Sequence, residues 1–350
     1  SMNISIEDKV RGCLWGIVIG DALGAPVEGY SAEKIVDLHT RVTEYKQPLG
    51  HKWFDDQPLG FWTDDTQLSF AVVKALLEAE VWEVKALELV GKCSDFDMDC
   101  IAKHHALAMA ESVSGWGYST QDSIRNLKNG VHWSKSGITD NPHRGTGNGV
   151  PMKIAPLAIW NFLQANQLPR SPEFSQAFHR EVVQFSAMSH YTDMSAYGAI
   201  AHTQAIQHCL RLQPDEFQKD IFLDEIINYA YKEFVEVAKL DPPLNRTEDS
   251  LRDRLGLLYN EELFEEGGCY LYHSLPFTYA YFLQDQTIEG LYNVVNAGGD
   301  TDTNGSMLAS MIGALHGQSI FPPELIDGVQ EKDELNQLIE SFVEKFSTNT

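Results

Sequence analysis

The chain has 350 residues, 43% of them hydrophobic and 11% aromatic, enough for one large core or two ordinary ones at ~150 residues per domain. Lys plus Arg number 26 against 50 Asp plus Glu, a formal net charge of −24. Nucleic-acid binders gain affinity by releasing counterions with clustered Lys and Arg. The sequence holds no such cluster, so no nucleic-acid partner is expected.

Apolar runs such as Leu14-Trp15 and Ile17 to Ile19 are broken by glycines and ended by Asp21. A membrane span needs ~20 apolar residues, so no membrane partner is expected either. The first residues lack the basic start, apolar block and cleavage site of a secretory signal. The five cysteines (Cys13, Cys93, Cys100, Cys209, Cys269) form no C-x-x-C pair. Neither a disulfide framework nor a thiolate zinc site is therefore expected. A cytoplasmic protein is the simplest reading, with a secreted effector role left open.

Helical periodicity runs through the chain. Behind the start signal Ser5-x-x-Asp8, Val10, Cys13, Leu14 and Ile17 share one face. Leu68, Ala71, Val72, Ala75, Leu76 and Ala79 make a second stripe. Phe222, Ile226, Ile227 and Ala230 make a third, and Met307, Leu308, Met311, Ile312 and Leu315 a fourth. Alternating apolar and polar runs bounded by turn residues are scarce, so the expected class is all-α. Gly12, Gly16 and Gly20 recur every four residues, as do Gly305, Ala309, Gly313 and Gly317. Glycine in a helix costs ~1 kcal/mol relative to alanine, which asks for a packing reason. The expectation is that these two helices pack on each other and bring the chain ends together. From Lys239 to Gly268 the composition turns polar and acidic, with Asp241-Pro242-Pro243, Glu261-Glu262 and Glu265-Glu266. It reads as a surface insertion at about 239–268 within a single domain of residues 1–350.

Two short clusters carry the chemistry. Thr63-Asp64-Asp65-Thr66 follows Trp62, and Gly298-Gly299 precedes Asp300-Thr301-Asp302-Thr303, each directly before a helix. Either alone is explained by capping, since Thr and Asp favour N-caps and acids favour the first turn. Together they place four carboxylates at two helix starts without a Lys or Arg in either. If the clusters meet, something positive must offset the repulsion. A hard divalent cation, Mg²⁺ or Mn²⁺, prefers such oxygen donors. Oxygens from Thr63, Asp64, Asp65, Asp300, Asp302 and Thr303 suffice for two ions sharing a carboxylate, with positions left open for water or substrate.

Two further segments are less specific. Gly20-Asp21-Ala22-Leu23-Gly24-Ala25-Pro26-Val27-Glu28 suits a helix end with an extended exit, where Asp21 and Glu28 are either solvated charges or site residues. Gly145-Thr146-Gly147-Asn148-Gly149 alternates glycines that can turn successive N–H groups toward an anion. Of the histidines only His190 has a supporting context. His104-His105 reads as a partly buried pair rather than as ligands, and Trp62 and Trp116 as packing residues with adenine stacking as the alternative.

In combination these motifs resemble those of the ADP-ribosylglycohydrolases, the dinitrogenase reductase-activating glycohydrolase-like family. The residues that carry the resemblance are G-D-A-L-G-x-x-x-E at Gly20 to Glu28, T-D-D-T at Thr63 to Thr66 and G-N-G-x-x-M at Gly147 to Met152. Ser189-His190 and G-G-D-T-D-T at Gly298 to Thr303 complete the set. The resemblance implies an all-α fold with a binuclear Mg²⁺ or Mn²⁺ cleft, ligated through Thr63, Asp64, Asp65, Asp300, Asp302 and Thr303. It also implies Glu28 near the ribose and metals, Gly145 to Gly149 against an ADP-ribose diphosphate, and His190 near the distal ribose. Gly115-Trp116-Gly117 matches the family's preceding Gly-x-Gly turn, and Asp21 joins the substrate-binding set. Lys153 departs from the arginine common in the family, keeping the charge but losing the bidentate fork.

The implied reaction is hydrolysis of the bond between ADP-ribose and a modified side chain, with Asp65 exchanging protons and Glu28 assisting or gating. The expected partner is an ADP-ribosylated protein, most simply arginine-linked, or an ADP-ribosyl small molecule. Serine-linked or non-protein substrates fit the same chemistry. A catalytically silent ADP-ribose-binding protein is the reading from another class, disfavoured by retention of all the acids.

Overall fold

The computed structural model describes residues 3–79, 97–111, 115–167, 172–260 and 264–347. Cys93, Glu261 and Glu262 of the sequence reading lie outside the described residues. In chain order the helices are α1 (Ile6–Gly24), α2 (Ala32–His39), α3 (Asp64–Glu78), α4 (Met98–Ala108), α5 (Tyr118–Lys128) and α6 (Ala155–Gln167). Then come α7 (Pro172–Ala187), α8 (Asp193–Arg211), α9 (Lys219–Asp224), α10 (Ala230–Val237), α11 (Leu251–Gly256) and α12 (Leu271–Gln284). The last four are α13 (Ile288–Asn296), α14 (Thr301–His316), α15 (Pro323–Asp327) and α16 (Lys332–Ser347). Among the described residues extended pairing is confined to isolated bridges such as Ser31 with Gly298 and Gly147 with Tyr270. The all-α expectation is met.

The N-terminal helix starts where the sequence says it should. Ser5 Oγ accepts the Asp8 N–H at 3.1 Å, and Glu7 and Asp8 complement the helix dipole in the first turn. From Gly12 to Gly24 every residue of α1 is buried, and so is every residue of α14 from Thr301 to Leu315. A helix buried on all sides belongs in the centre of a core. The segment Ile6–Val27 has a mean hydropathy of 1.3 over its most apolar window, 94% of which is covered by the rest of the protein.

These two helices run antiparallel with their backbones in contact. A Cβ added at Gly12, Gly16, Gly20 or Gly24 would stand 2.2–2.3 Å from the carbonyl oxygen of Gly313, Ala309, Gly305 or Thr301 respectively. No larger residue fits that ridge, which is the packing reason the sequence asked for. Thr301 Oγ1 donates to the Gly24 carbonyl at 2.6 Å and Ser306 Oγ to that of Ile17 at 2.9 Å, fixing the register. Lys9 is buried beside them, donating to the last-turn carbonyl of Leu315 in α14 (2.8 Å) and to that of Leu212, just past the end of α8 (2.6 Å). Burial lowers its pKa to about 8, but an ammonium at two helix C-termini is well placed.

The other helices wrap this pair. The α16 helix ties the chain end to both sides: Glu340 meets Arg11 at 2.7 Å, and Lys345 Nζ caps α3 through the carbonyls of Leu76, Leu77 and Ala79. The acidic segment from 239 to 268 sends Leu251, Leu255, Leu258 and Phe264 into the core. Its Asn245 is clasped by backbone bonds to Tyr191 and Asp193, and its Gly267 carbonyl reaches the base of α14. Gly16→Val should destabilise the fold by ~3 kcal/mol or more, since the clash is with backbone and cannot relax by a rotamer change. Gly256→Ala, where an added methyl meets nothing within 4 Å, should leave the urea midpoint near wild type. Equal midpoints for the two variants would contradict the close-packed ridge.

Candidate metal centre

The α1–α14 contact brings three motifs to one place, because Asp21 follows Gly20 and Asp302 precedes Gly305. Neither Thr63 nor Asp300 uses its side chain to cap its helix. The capping explanation of those motifs therefore fails on geometry. The α3 N-terminus is capped from outside instead: Asp21 Oδ2 accepts from Thr63 N (2.9 Å), Thr66 N (3.1 Å) and Thr66 Oγ1 (2.7 Å).

Thr63 Oγ1 then lies among three carboxylates, 2.8 Å from Asp21 Oδ1, 3.0 Å from Asp65 Oδ2 and 3.1 Å from Asp302 Oδ2. A hydroxyl has one proton and can satisfy only one of them. One oxygen each of Asp21, Asp65 and Asp302 falls within 4.8 Å of the others, and so does one each of Glu28, Asp300 and Asp302. Asp302 belongs to both sets. Asp65 Oδ1 and Glu28 Oε2 are buried with no hydrogen-bond partner.

Asp300 is held from the far side. Asn148 Nδ2 donates to Asp300 Oδ2 at 2.7 Å and to Ser274 Oγ at 2.9 Å. Ser274 Oγ donates to Asn304 Oδ1 at 2.7 Å, and Asn304 Nδ2 to the Gly267 carbonyl at 2.8 Å. Gly267 O also accepts the Asp300 N–H at 2.8 Å. Sequence reading found Asn148 through its glycine loop but missed Ser274, Asn304 and Gly267. Ser274 carries no signal, standing alone in an aromatic helix.

The remaining sequence candidates surround this core. Asp64 lies outside the two carboxylate sets, with Oδ1 2.7 Å from where a Gly115 Cβ would stand; Gly115 has φ +110 and leaves that space free. Thr303 is buried next to Asp65, whose carboxylate its hydroxyl stabilises. Gly117 begins α5, and the Gly145 N–H is bound by Ser119 Oγ at 2.8 Å. The Asn148 N–H is bound by the Cys269 carbonyl at 3.0 Å, so two of the five loop N–H groups face inward, not toward an anion. Thr146 O accepts from Leu271 N, and Gly149 lets the His190 ring approach within 2.8 Å of its missing Cβ. His190 Nδ1 bonds Ser189 Oγ at 2.8 Å; burial, with the Lys153 charge, lowers its pKa to about 3, so it is neutral. Trp62 and Trp116 are each tied by their indole N–H, to Gln330 O and Gln67 Oε1.

Lys153 is fully buried, its Nζ without a hydrogen-bond partner and 5.3 Å from the centre of the Phe185 ring. Burial pulls its pKa down to about 7, against the Asp64 charge that raises it. The departure at this position thus carries no ion pair.

Burial, reinforced by neighbouring carboxylates, pushes Glu28, Asp64, Asp65 and Asp302 well above the usual carboxylate range. Asp21 is raised to about 6, its burial partly offset by Thr63 and Thr66. So many buried acids hold either protons or cations at neutral pH. The donors are hard oxygens with no Cys or His, and two oxygens are orphaned, which fits divalent Mg²⁺ or Mn²⁺ rather than zinc.

The family model for ADP-ribosylglycohydrolase matches residues 2–350. The chain belongs to the ADP-ribosylglycohydrolase family. An uncharacterized protein of Archaeoglobus fulgidus is 28% identical, covering 97% of each chain. ADP-ribosylhydrolase ARH3 of Gallus gallus is 24% identical over 97% of this chain and 93% of its own. The ADP-ribosyl-[dinitrogen reductase] glycohydrolase of Rhodospirillum rubrum is 22% identical over 91% and 89%. A solved ADP-ribosylglycohydrolase-related protein complex shares the fold, with a TM-score of 0.64 at 21% identity over 97% and 98% of the two chains. As a family member the protein is a hydrolase of ADP-ribosyl glycosidic bonds acting on ADP-ribosylated substrates.

The raised carboxylates give a signed prediction. A folded-state pKa above the unfolded value contributes stability below the unfolded pKa that is lost as pH rises through the folded one. Metal-free protein should lose this contribution as pH passes about 6, the value of Asp21, and above. The rise in Tm caused by added Mn²⁺ should accordingly grow across the same range, because the ion replaces protons. A Tm rise independent of pH, or none, would contradict the cluster's role.

Proposed function

We propose that the protein is a divalent-cation-dependent hydrolase that removes ADP-ribose from arginine side chains of modified proteins. The observation that carries this is the pair of carboxylate sets sharing Asp302, the first of them gathered round the Thr63 hydroxyl. Thr63, Asp21, Asp65 and Asp302 are the residues to hold one ion, and Glu28, Asp300 and Asp302 the other, with Asp64 and Thr303 beside them. When bound, such ions supply charge that orients ribose hydroxyls and makes a water more acidic at neutral pH.

The rest belongs to the protein's own groups. Cleavage adds hydroxyl to the ribose carbon and returns a proton to the guanidine nitrogen, through an oxocarbenium-like state. Asp65 Oδ1, fully buried and unpartnered, is the atom to take a proton from the attacking water. Glu28 is half-buried at the edge, with Oε2 unpartnered, and that oxygen, left over from the one given to the ion, is placed to pass a proton to the leaving group. Its position also lets it gate entry. The Asn148–Ser274–Asn304 chain fixes Asp300 without adding charge. Bound cations would offset the chain's −24 field for the diphosphate. That acidic setting favours a substrate whose linkage carries a cationic guanidinium over one with a neutral oxygen linkage; the guanidine departs neutral and then takes up the proton.

The test is release of ADP-ribose from arginine-linked and serine-linked substrates, with Mn²⁺, Mg²⁺ or a chelator. Release from the arginine linkage alone, abolished by chelation, is expected. Asp65→Asn, which keeps one ligand oxygen, should bind metal more weakly and, with Mn²⁺ at saturation, still lose activity by ~10²-fold or more. Asp302→Asn should lose both, as a shared ligand must. Turnover of the serine linkage alone would overturn the arginine assignment, and normal Asp65→Asn activity would overturn the proton role.

A further inference from the structure

Outside the carboxylate centre, one other group of metal-ligating side chains converges among the described residues. It joins the last turn of α3 to the first two turns of α4. Glu78, Cys100 and His104 place Oε2, Sγ and Nε2 within 4.8 Å of one another. Cys100 and His104 are four positions apart on α4, so both project from the same face. Cys100 Sγ is 3.5 Å from Glu78 Oε2, and His104 Nε2 is hydrogen-bonded to that same oxygen. Lys103 Nζ holds the other carboxylate oxygen, Oε1, at 2.6 Å, which orients Glu78 and leaves Oε2 facing the sulfur and the imidazole.

We propose that Glu78, Cys100 and His104 form a zinc site, separate from the catalytic centre, that clips the end of α3 to α4. The donor set is the argument for the metal: one sulfur, one imidazole nitrogen and one carboxylate oxygen suit Zn²⁺, whereas Mg²⁺ and Mn²⁺ favour oxygen alone. The spacing agrees as well. Tetrahedral zinc with sulfur at ~2.3 Å and oxygen at ~2.0 Å sets those two atoms ~3.5 Å apart, the separation between Cys100 and Glu78. The imidazole needs only to draw back from its hydrogen bond for the ion to enter, and water completes the fourth position.

Binding forms the sulfur–zinc bond and releases the Cys100 thiol proton to solvent, ending the weak contact of the thiol with the Ala75 carbonyl at 3.5 Å. His104 coordinates through Nε2 with its proton on Nδ1, so the hydrogen that Nε2 gives to Glu78 moves to Nδ1 or leaves to solvent as the ion enters. Asp97 and Asp99 stand at the start of the same helix and counter the Lys103 charge beside Glu78. The absence of a C-x-x-C pair argued against a thiolate zinc site, and His104-His105 read as a partly buried pair rather than as ligands. Only the fold brings Glu78 to them. The clip bears on the carboxylate centre at one remove: α3 opens with Asp64 and Asp65, and Gln67 Nε2 is bonded to the Ala108 carbonyl at the end of α4 at 2.8 Å.

The probes are Zn²⁺ and Co²⁺ alone, added to full-length protein with its carboxylate centre saturated by Mg²⁺. Co²⁺ should give a thiolate-to-cobalt charge-transfer band, which carboxylate ligands cannot produce. The band should vanish in Cys100→Ser and persist in Cys93→Ser and Cys269→Ser. Zn²⁺ affinity by equilibrium dialysis should fall ~10-fold or more in His104→Gln and in Glu78→Gln. Zn²⁺ should also raise the Tm of wild type but not of Cys100→Ser, with both variants checked by circular dichroism. No charge-transfer band in the wild type, or a band that survives Cys100→Ser, would overturn the site.

Discussion

The structure depends on a contact between two helix backbones. Glycines at 12, 16, 20 and 24 let α1 lie against α14 at a distance that any side chain would prevent. The contact does more than fill a core. It sets the register in which Asp21 of one helix comes beside Asp302 of the other, and every distance around Thr63 Oγ1 follows from that. A slip of one turn would separate the carboxylates by ~5 Å and leave no centre to occupy. Buried glycine ridges lower helix propensity, and this one is sustained by hydroxyl and lysine bonds to the carbonyls that the close approach exposes.

Charge balance is the second constraint. The fold packs Asp21, Asp64, Asp65, Asp300 and Asp302 into its interior with Glu28 at their edge, and Lys153, whose charge acts on Asp64, is itself buried and makes no hydrogen bond. Neutral groups do the positioning: Thr63 and Thr66 for Asp21, and Asn148, with Ser274 and Asn304 behind it, for Asp300. Hydrogen bonds from uncharged donors fix carboxylates without neutralising them, so their capacity to bind cations is kept. A lysine or arginine in those places would have closed the site to metal.

Much of this was legible in the chain, for identifiable reasons. Period-3.6 stripes gave the helices, and the four-residue spacing of Gly12, Gly16 and Gly20 against Gly305 and Gly313 gave the central contact. The T-D-D-T and G-G-D-T-D-T motifs were recognisable because two acid-rich helix starts without a basic neighbour repel each other, if brought together, unless a cation offsets them. What the chain hid depends on distant approach. Asp21 as the external cap of α3 needs a residue 42 positions away from Thr63. Ser274 is one hydroxyl in an aromatic helix, and Gly267 acts through its carbonyl, which any residue has. The glycine loop was read as a set of anion-facing amides, yet Ser119 and the Cys269 carbonyl hold two of them inside the protein. The same limit hid the meeting of Glu78 with Cys100 and His104, since two helices separated in sequence must fold together before the donors can be counted.

The central claim is that two cations share Asp302 at this junction. Anomalous diffraction from crystals grown with Mn²⁺ and collected at the manganese edge tests it most directly. The account predicts two peaks ~3.5–4 Å apart, one against Asp21, Asp65 and Thr63, the other against Glu28 and Asp300, with Asp302 between them. One peak, or none within reach of Asp302, would contradict it.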